Sequence, residues 1–143
     1  MMEFHNLILQ WYDLNKRDLP WRSTKEPYKI WVSEIILQQT RVVNGIIYYR
    51  RFIEYFPNIH SLANADENDV LLIWQGLGYY SRARNLHFSA KYIVDKLNSN
   101  FPNTFQDIIK LKGIGDYTAS AISSICFEEK VPAIDGNIFN DKH

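Results

Sequence analysis

The chain has 143 residues, and 16 Lys and Arg side chains balance 16 Asp and Glu side chains, so its formal net charge is zero. This length allows one domain with a buried core, and a hydrophobic content of 46% excludes an intrinsically disordered chain. The neutral balance counts mildly against a nucleic-acid-binding domain, although residues 76–94 form a local basic stripe that contains Arg82, Arg84 and Lys91 and no acid.

Apolar residues recur with helical spacing almost throughout the chain, which predicts an all-α domain of short helices. Pro27 is well placed to begin the second helix, and Pro132 argues for a loop in the only strand candidate, residues 130–134. In chain order the seven expected helices cover about residues 4–12, 27–36, 42–55, 66–76, 80–97, 104–112 and 118–127.

The stretch Leu111–Ala119 predicts a tight turn between the last two helices. Gly113 and Gly115 let the backbone turn sharply and leave N–H groups uncovered at the start of the next helix, where the helix dipole favours an anion. A DNA phosphate could therefore dock there, although a purely structural turn is the more common interpretation. Asp135 follows closely and adds a carboxylate.

Glu34 is unusual because apolar residues surround it in the second helix. Ile30 and Leu37 share its face, and a carboxyl in such a setting loses solvent, which raises its pKa. It could then act as a general acid near neutral pH. The alternative is an ordinary solvated carboxylate.

Two polar or aromatic segments could contact bases. Gln38, Gln39 and Thr40 end the second helix with two amides and a hydroxyl, which suits hydrogen bonds to base edges or C-terminal capping. Residues 76–80 place two glycines beside Tyr79 and Tyr80, whose rings could stack on bases or pack in the core or at its rim.

The location of the protein is inferred from what the sequence lacks. Residues 1–10 do not show the pattern of a signal peptide, and no apolar run is long enough to cross a membrane. The single cysteine, Cys126, excludes an internal disulfide and fits a reducing compartment. A cytoplasmic protein is expected.

Several segments together resemble the helix-hairpin-helix base-excision DNA glycosylases, and more narrowly the adenine DNA glycosylases of the MutY type. The resemblance extends from about residue 11 to residue 138 and keeps the order and spacing of the family's motifs. It implies a six-helix-barrel type domain with a helix-hairpin-helix motif. The matching segments are residues 19–22 (LPWR), 27–40 (PYKIWVSEIILQQT), 74–87 (WQGLGYYSRARNLH), 111–119 (LKGIGDYTA) and 134–137 (IDGN).

The resemblance also implies catalytic roles. Glu34 would protonate adenine at N7, and Asp135 would stabilise the cationic sugar that forms as the glycosidic bond breaks. Asn137 would hold Asp135 or the water, and Tyr117 would pack in the same pocket. An oxocarbenium-like transition state needs both an acid at the leaving group and an anion near the sugar.

The resemblance implies that the partner is double-stranded DNA with an adenine mispair, and that further residues contact it. It also implies a monomeric, nucleoid-associated protein of bacterial type. The adenine pocket would be lined by Arg17 and Trp21. Gln39 and Tyr79 would enter the stack around the damaged guanine, and Gly113 and Gly115 would bind a phosphate.

Tyr117 separates this chain from a similar group. The endonuclease III group carries a lysine at this position, which would attack the sugar as an amine and lead to strand cleavage. Because a phenol cannot form a Schiff base, base removal without efficient strand cleavage is expected.

The chain departs from the family after Asn137. The family binds an iron–sulfur cluster through four cysteines further along, and Cys126 alone cannot supply them, so no cofactor and no metal site is expected in this chain. The chain is thus expected to be the N-terminal part of a longer enzyme, truncated after the catalytic aspartate. Residues 1–26 would pack on the missing iron–sulfur domain, residues 27–130 would form the helical barrel with its hairpin at 105–127, and residues 131–143 would begin a second domain.

Three functions therefore remain open for this chain. It could be an adenine glycosylase that uses Glu34 and Asp135, or a DNA-binding module that keeps the hairpin but cannot hold Asp135 in place. The third is a helical interaction fragment without a role on DNA.

Overall fold

A computed structural model describes residues 20–21, 24–38 and 40–128. Every regular element within these ranges is a helix, as the apolar periodicity predicts. The helices are α1 (Pro27–Leu37), α2 (Val42–Tyr55), α3 (Ile59–Asn64), α4 (Glu67–Trp74), α5 (Tyr80–Lys96), α6 (Phe105–Ile108) and α7 (Asp116–Phe127).

Six of these helices lie where the sequence predicts them, but α6 ends at Ile108 rather than near residue 112. The chain continues from there in tight turns, in which the N–H groups of Lys110 and Leu111 donate to the carbonyls of Asp107 and Ile108. Pro27 occupies the first turn of α1, and α2 has the expected bounds. Helix α7 begins at Asp116, two residues before the expected start at residue 118. Its N-cap is Gly115, the second glycine of the hairpin turn. The expected helix at 4–12 and the strand candidate at 130–134 lie outside the described residues. The domain boundaries after residues 26 and 130 stay predictions.

Helix α3 is an element that the periodicity missed. The Asn58 side chain accepts a hydrogen bond from the Ser61 backbone N–H at 2.9 Å, and the Ser61 hydroxyl accepts one from the Asn58 N–H at 3.2 Å. This reciprocal pair is a capping box, which supplies partners for donors that a helix start leaves unpaired. A helix of six residues has too few turns to show a periodic pattern.

Aromatic side chains form much of the core between the helices. Trp31, Phe52 and Trp74 are fully buried, and the rings of Phe52 and Trp74 meet edge to face with centroids 5.9 Å apart. Trp31 makes a similar contact with Phe101 at 5.5 Å. Burying one such side chain contributes about 1.5–3 kcal/mol, so these rings fix the relative positions of the helices that carry them.

Two groups of helices surround this core. Helix α1 packs against α2 and α7, while α5 packs against α3 and α4. The Tyr28 hydroxyl donates a hydrogen bond to the Phe56 carbonyl at 2.6 Å and ties the start of α1 to the end of α2. Among the described helices none is both long and apolar enough to span a bilayer.

Candidate active site

Glu34 lies in the middle of α1 and lines a cavity of about 230 Å³. Ile30 and Leu37, which the helical spacing places on the same face, line this cavity too. The wall is completed by residues from the connector before α1, from α1 itself and from α7, namely Trp21, Thr24, Lys25, Ser33 and Ile125. The wall of the cavity therefore combines residues from the connector before α1, from α1 and from α7, and Glu34 is the only carboxyl group among the described lining residues.

Burial changes the acidity of Glu34. Loss of solvent raises the pKa of this carboxyl from 4.5 to about 7. A low-dielectric setting disfavours the charged form of the carboxyl. Burial is the cause of the raised pKa, and no contribution from a hydrogen bond or an opposite charge lowers it again. The protonated and ionised forms of Glu34 are therefore both populated near neutral pH, which suits a group that donates a proton to a bound molecule.

Trp21 forms a buried part of the cavity wall. Its side chain is buried, and its ring meets the Tyr49 ring edge to face with a centroid distance of 5.2 Å and an interplanar angle of 76°. Because Tyr49 belongs to α2, this contact fixes the connector before α1 against α2. Trp21 and Glu34 thus share one cavity.

The turn between α6 and α7 is attached to α5. The Ser89 hydroxyl donates a hydrogen bond to the Lys112 carbonyl at 2.8 Å. Gly113 has φ +87°, and a Cβ at this position would lie 2.7 Å from the Cβ of Asn85. Only glycine tolerates both constraints. Gly115 faces open space within 4 Å of where a Cβ would lie, so a ligand could approach its backbone.

Gln38 connects three helices. Its Nε2 donates to the Thr118 hydroxyl at 2.7 Å, and its Oε1 accepts from Nη1 of Arg82. Its backbone N–H caps α1 through the carbonyls of Ile35 and Ile36. The end of α1 is therefore joined to the first turns of α5 and α7.

Tyr79 projects from a strained turn before α5. It is a non-glycine residue in the left-handed region, with φ 48° and ψ 61°, and its side chain is 73% exposed. Gly76 and Gly78 also have positive φ, and Nε1 of Trp74 donates to the Gly78 carbonyl at 3.1 Å. A left-handed backbone conformation costs a tyrosine about 1–2 kcal/mol, so the surrounding turn must hold the Tyr79 backbone in this conformation.

A family model describes most of this chain. The model for the HhH-GPD superfamily base excision DNA repair proteins matches residues 32–140, which include Glu34, the hairpin turn and α7. The chain belongs to the HhH-GPD superfamily. Its all-helical architecture and its hairpin between α6 and α7 agree with that assignment, and the fold expected from the sequence is confirmed.

Individual proteins similar to this chain have a more specific name than the superfamily, adenine DNA glycosylase. The chain is 46% identical over 136 residues to the adenine DNA glycosylase of Buchnera aphidicola subsp. Schizaphis graminum and 42% identical over 144 residues to that of Mus musculus. Each alignment covers 94% of this chain, but the chain spans only 39% and 28% of the length of these relatives.

The solved structure of a thermostable thymine-DNA glycosylase is similar in fold. It superimposes with a TM-score of 0.74 at 25% identity, covering 91% of this chain and 60% of that one.

Within this HhH-GPD domain, the predicted site residues are distributed unevenly. Glu34 and Trp21 share the cavity, whereas Tyr117 lies in the first turn of α7, is 52% exposed and does not belong to the described cavity wall. Thr40 is half-buried, with its methyl group beside Gly45. Four predicted residues lie outside the described residues: Arg17, Gln39, Asp135 and Asn137.

An iron–sulfur cluster does not fit the residues of this chain. Burial raises the pKa of the Cys126 thiol to about 11, so it stays protonated at neutral pH, and the sequence contains no second cysteine. Such clusters need four thiolates or equivalent ligands. Among the described residues there is also no group of His, Cys, Asp and Glu side chains that could hold a metal ion.

Two residues that position the site have roles that local sequence patterns do not show. Gln38 was expected to contact a base or to cap α1, and its side chain also has the structural role of joining Arg82 and Thr118. The base contact stays a prediction. Ser89 is a buried serine on the apolar face of α5, and it attaches the hairpin turn through its hydrogen bond to Lys112. A polar residue on that apolar face is the feature of the sequence that could have predicted this contact.

Proposed function

We propose that this chain belongs to an enzyme that hydrolyses the N-glycosidic bond of adenine mispaired with 8-oxoguanine or guanine in duplex DNA. The observation that carries the proposal is the pKa of about 7 at Glu34 inside a cavity that opens between α1 and α7. The resemblance to adenine DNA glycosylases over 94% of the chain supplies the substrate class.

The target adenine would first leave the duplex and enter the cavity beside Glu34, because the glycosidic bond is inaccessible inside the base stack. Extrusion costs a few kcal/mol, which stacking and phosphate contacts must offset. Trp21 supplies an apolar surface in this cavity. An uncovered backbone at Gly115 supports the proposed phosphate contact at the hairpin turn.

Glu34 would then donate its proton to N7 of adenine. Protonation lets the base accept the electron pair of the breaking C1′–N9 bond, and the sugar becomes an oxocarbenium ion. Water adds to C1′ and loses a proton to solvent or to a nearby carboxylate. The products are free adenine and an abasic site, and Glu34 is reprotonated from solvent before the next turnover.

Asp135 would stabilise the cationic sugar, with Asn137 holding it or the water. The support for this step is the chemistry of the transition state and the position of the Ile134–Asn137 segment shortly after α7 in the sequence. Tyr117 belongs to the first turn of α7, and no amine nucleophile occupies its position.

The test is single-turnover release of adenine from a duplex that contains adenine opposite 8-oxoguanine. Glu34→Gln should abolish release, because an amide cannot donate this proton, and Asp135→Asn should do the same. Glu54→Gln is the matched control, since Glu54 is exposed on α2 outside the cavity. Release that survives in Glu34→Gln would overturn the assigned chemistry. Absence of release from a folded wild-type chain that still binds the duplex would favour the alternative of a helix-hairpin-helix binding module.

A further inference from the structure

A second cavity, of about 310 Å³, lies between α5 and the turn that follows α6. It is separate from the Glu34 cavity, since the two share no lining residue. Ser81, Arg84, Asn85, Phe88 and Lys91 of α5 line it, together with Lys112 of the turn. We call it the basic cavity and propose that it binds a phosphate group.

The charge of the basic cavity favours an anion. Arg84, Lys91 and Lys112 contribute three cations, and Glu67 is the one acid on the described wall, which leaves an excess of two positive charges. Glu67 contacts Arg84 through Nε at 3.4 Å. A guanidinium carries five N–H donors, so this exposed ion pair orients Arg84 while its terminal nitrogens can still bind a second partner.

Helical geometry brings the cations of α5 to one side. Arg84, Phe88 and Lys91 follow at intervals of four and three residues, so they share a face and span about 10 Å along the axis. Arg82, from the same basic stripe of the sequence, is engaged elsewhere with Gln38. Folding therefore divides the stripe and directs only part of it to the cavity.

The third cation comes from the hairpin. The Lys112 ammonium lies 4.8 Å from the centroid of the Phe88 ring, and the Lys112 carbonyl accepts the hydrogen bond from Ser89. Both contacts hold Lys112 at the rim of the cavity, one residue before Gly113. Asn85, which also lines the cavity, contacts the position where Gly113 would carry a Cβ. The cavity thus adjoins the turn whose backbone is proposed to hold a DNA phosphate.

Two sources could supply the phosphate group. One is the backbone of duplex DNA where it continues past the hairpin turn, and this source rests on the proposed function. The other is a free polyphosphate, which does not depend on it. In both cases the cavity offers the same chemistry of cations beside neutral hydrogen-bonding groups on Ser81 and Asn85.

The matched variants are Lys91→Gln and Lys96→Gln. Both lysines are exposed on α5, but only Lys91 lines the basic cavity, so the two substitutions change net charge equally and differ in position. The first measurement is an NMR titration of the 143-residue chain with inorganic pyrophosphate. If the site takes free polyphosphate, Lys91→Gln should raise the Kd roughly tenfold, as expected for a lost charge-assisted hydrogen bond, and Lys96→Gln should leave it unchanged.

The second measurement is the salt dependence of binding to duplex DNA. If the site takes a backbone phosphate, Lys91→Gln should reduce the slope of log Kobs against log salt by about 0.9, whereas Lys96→Gln should not. A difference between the two variants in either measurement supports the site. A difference on duplex DNA identifies the backbone as a source, and a difference with pyrophosphate alone identifies free polyphosphate. Equal behaviour of the two variants in both measurements overturns it. A wild-type chain that binds no DNA contradicts the proposed function, and the pyrophosphate titration alone then decides the cavity.

Discussion

The side chains of Gln38 and Thr118 form a 2.7 Å hydrogen bond although 80 residues separate them in the chain. Thr118 is buried in the first turn of α7, and Gln38 ends α1. The bond thus fixes α7 against the helix that carries Glu34, and Ile125 further along α7 completes the wall of the Glu34 cavity. Glu34 and α7 are therefore linked by a hydrogen bond at the end of α1 and by a shared cavity wall.

We expect Gln38→Ala to destabilise the fold by about 1–3 kcal/mol, because the buried Thr118 hydroxyl loses its partner. Chemical denaturation measures the change. Gln75→Ala is a suitable control, since Gln75 is the exposed C-cap of α4. A double-mutant cycle with Thr118→Val isolates the pair, and a coupling energy near zero would contradict this assignment.

The raised pKa of Glu34 makes stability depend on pH. Below its unfolded pKa of 4.5 the carboxyl is protonated in both states and costs nothing. As pH rises towards about 7, the unfolded chain ionises first, so the folded state loses stability, and the loss is complete above the folded pKa. Relative to Glu34→Gln, the wild-type free energy of unfolding should fall by roughly 2–3 kcal/mol across this window, allowing for partial solvent screening.

Urea denaturation of both proteins at a series of pH values measures this difference. Glu54→Gln is the matched control, because Glu54 is exposed on α2 and does not line the Glu34 cavity. Parallel curves for wild type and Glu34→Gln would mean that the Glu34 pKa is not raised in the folded state.

The two glycines of the hairpin should respond differently to alanine. Gly113→Ala should lower stability by about 1–3 kcal/mol, because φ +87° is strained for alanine and the new Cβ would meet Asn85. Gly115→Ala should cost less, at most about 1 kcal/mol, since its φ of −94° suits any residue, nothing lies nearby, and only the preference of an N-cap for glycine over alanine is lost.

The same Gly115→Ala methyl group would occupy the space proposed for a phosphate, so duplex affinity should fall about tenfold, equivalent to about 1.4 kcal/mol. Thermal unfolding and fluorescence anisotropy measure the two effects separately. A Gly115→Ala chain that binds DNA like wild type would exclude a phosphate contact at this turn.

Tyr79→Gly should raise stability by at most about 1 kcal/mol, because the relieved strain is partly offset by the greater entropy of glycine in the unfolded chain and by the lost contact of the ring with the Arg82 guanidinium. Glycine adopts φ 48° without strain, and the ring is mostly exposed, so little packing is lost. Tyr80→Gly provides the opposite case, because Tyr80 is the first residue of α5 and glycine there should cost up to about 1 kcal/mol. Thermal denaturation compares the two, and equal destabilisation would mean that Tyr79 is not strained.

Tyr117 should allow base removal without strand cleavage. A phenol cannot form the Schiff base that borohydride reduces, so trapping should give no covalent protein–DNA adduct. Tyr117→Lys introduces the amine and serves as the comparison, with an adduct detected as a mobility shift on a denaturing gel. A high yield of trapped adduct from the wild-type chain would refute simple hydrolysis.

Local sequence signals determined much of the architecture. Apolar spacing predicted α2 and α5 closely, and Pro27 marked the start of α1, because both features act within a few helical turns. The same spacing surrounded Glu34 with Ile30 and Leu37, which was enough to predict that this carboxyl would lose solvent. Helix α3 was missed since its signal is a capping pair rather than a period.

Only the tertiary structure decided which distant side chains meet. The hydrogen bond between Gln38 and Thr118, the contact of Gly113 with Asn85 and the division of the basic stripe between Arg82 and the basic cavity depend on how helices far apart in the chain pack. A periodic pattern states which face of a helix is apolar, but it does not state which other helix covers that face. Burial of the core aromatic side chains selects that arrangement, and it places the acid and the hairpin on one scaffold.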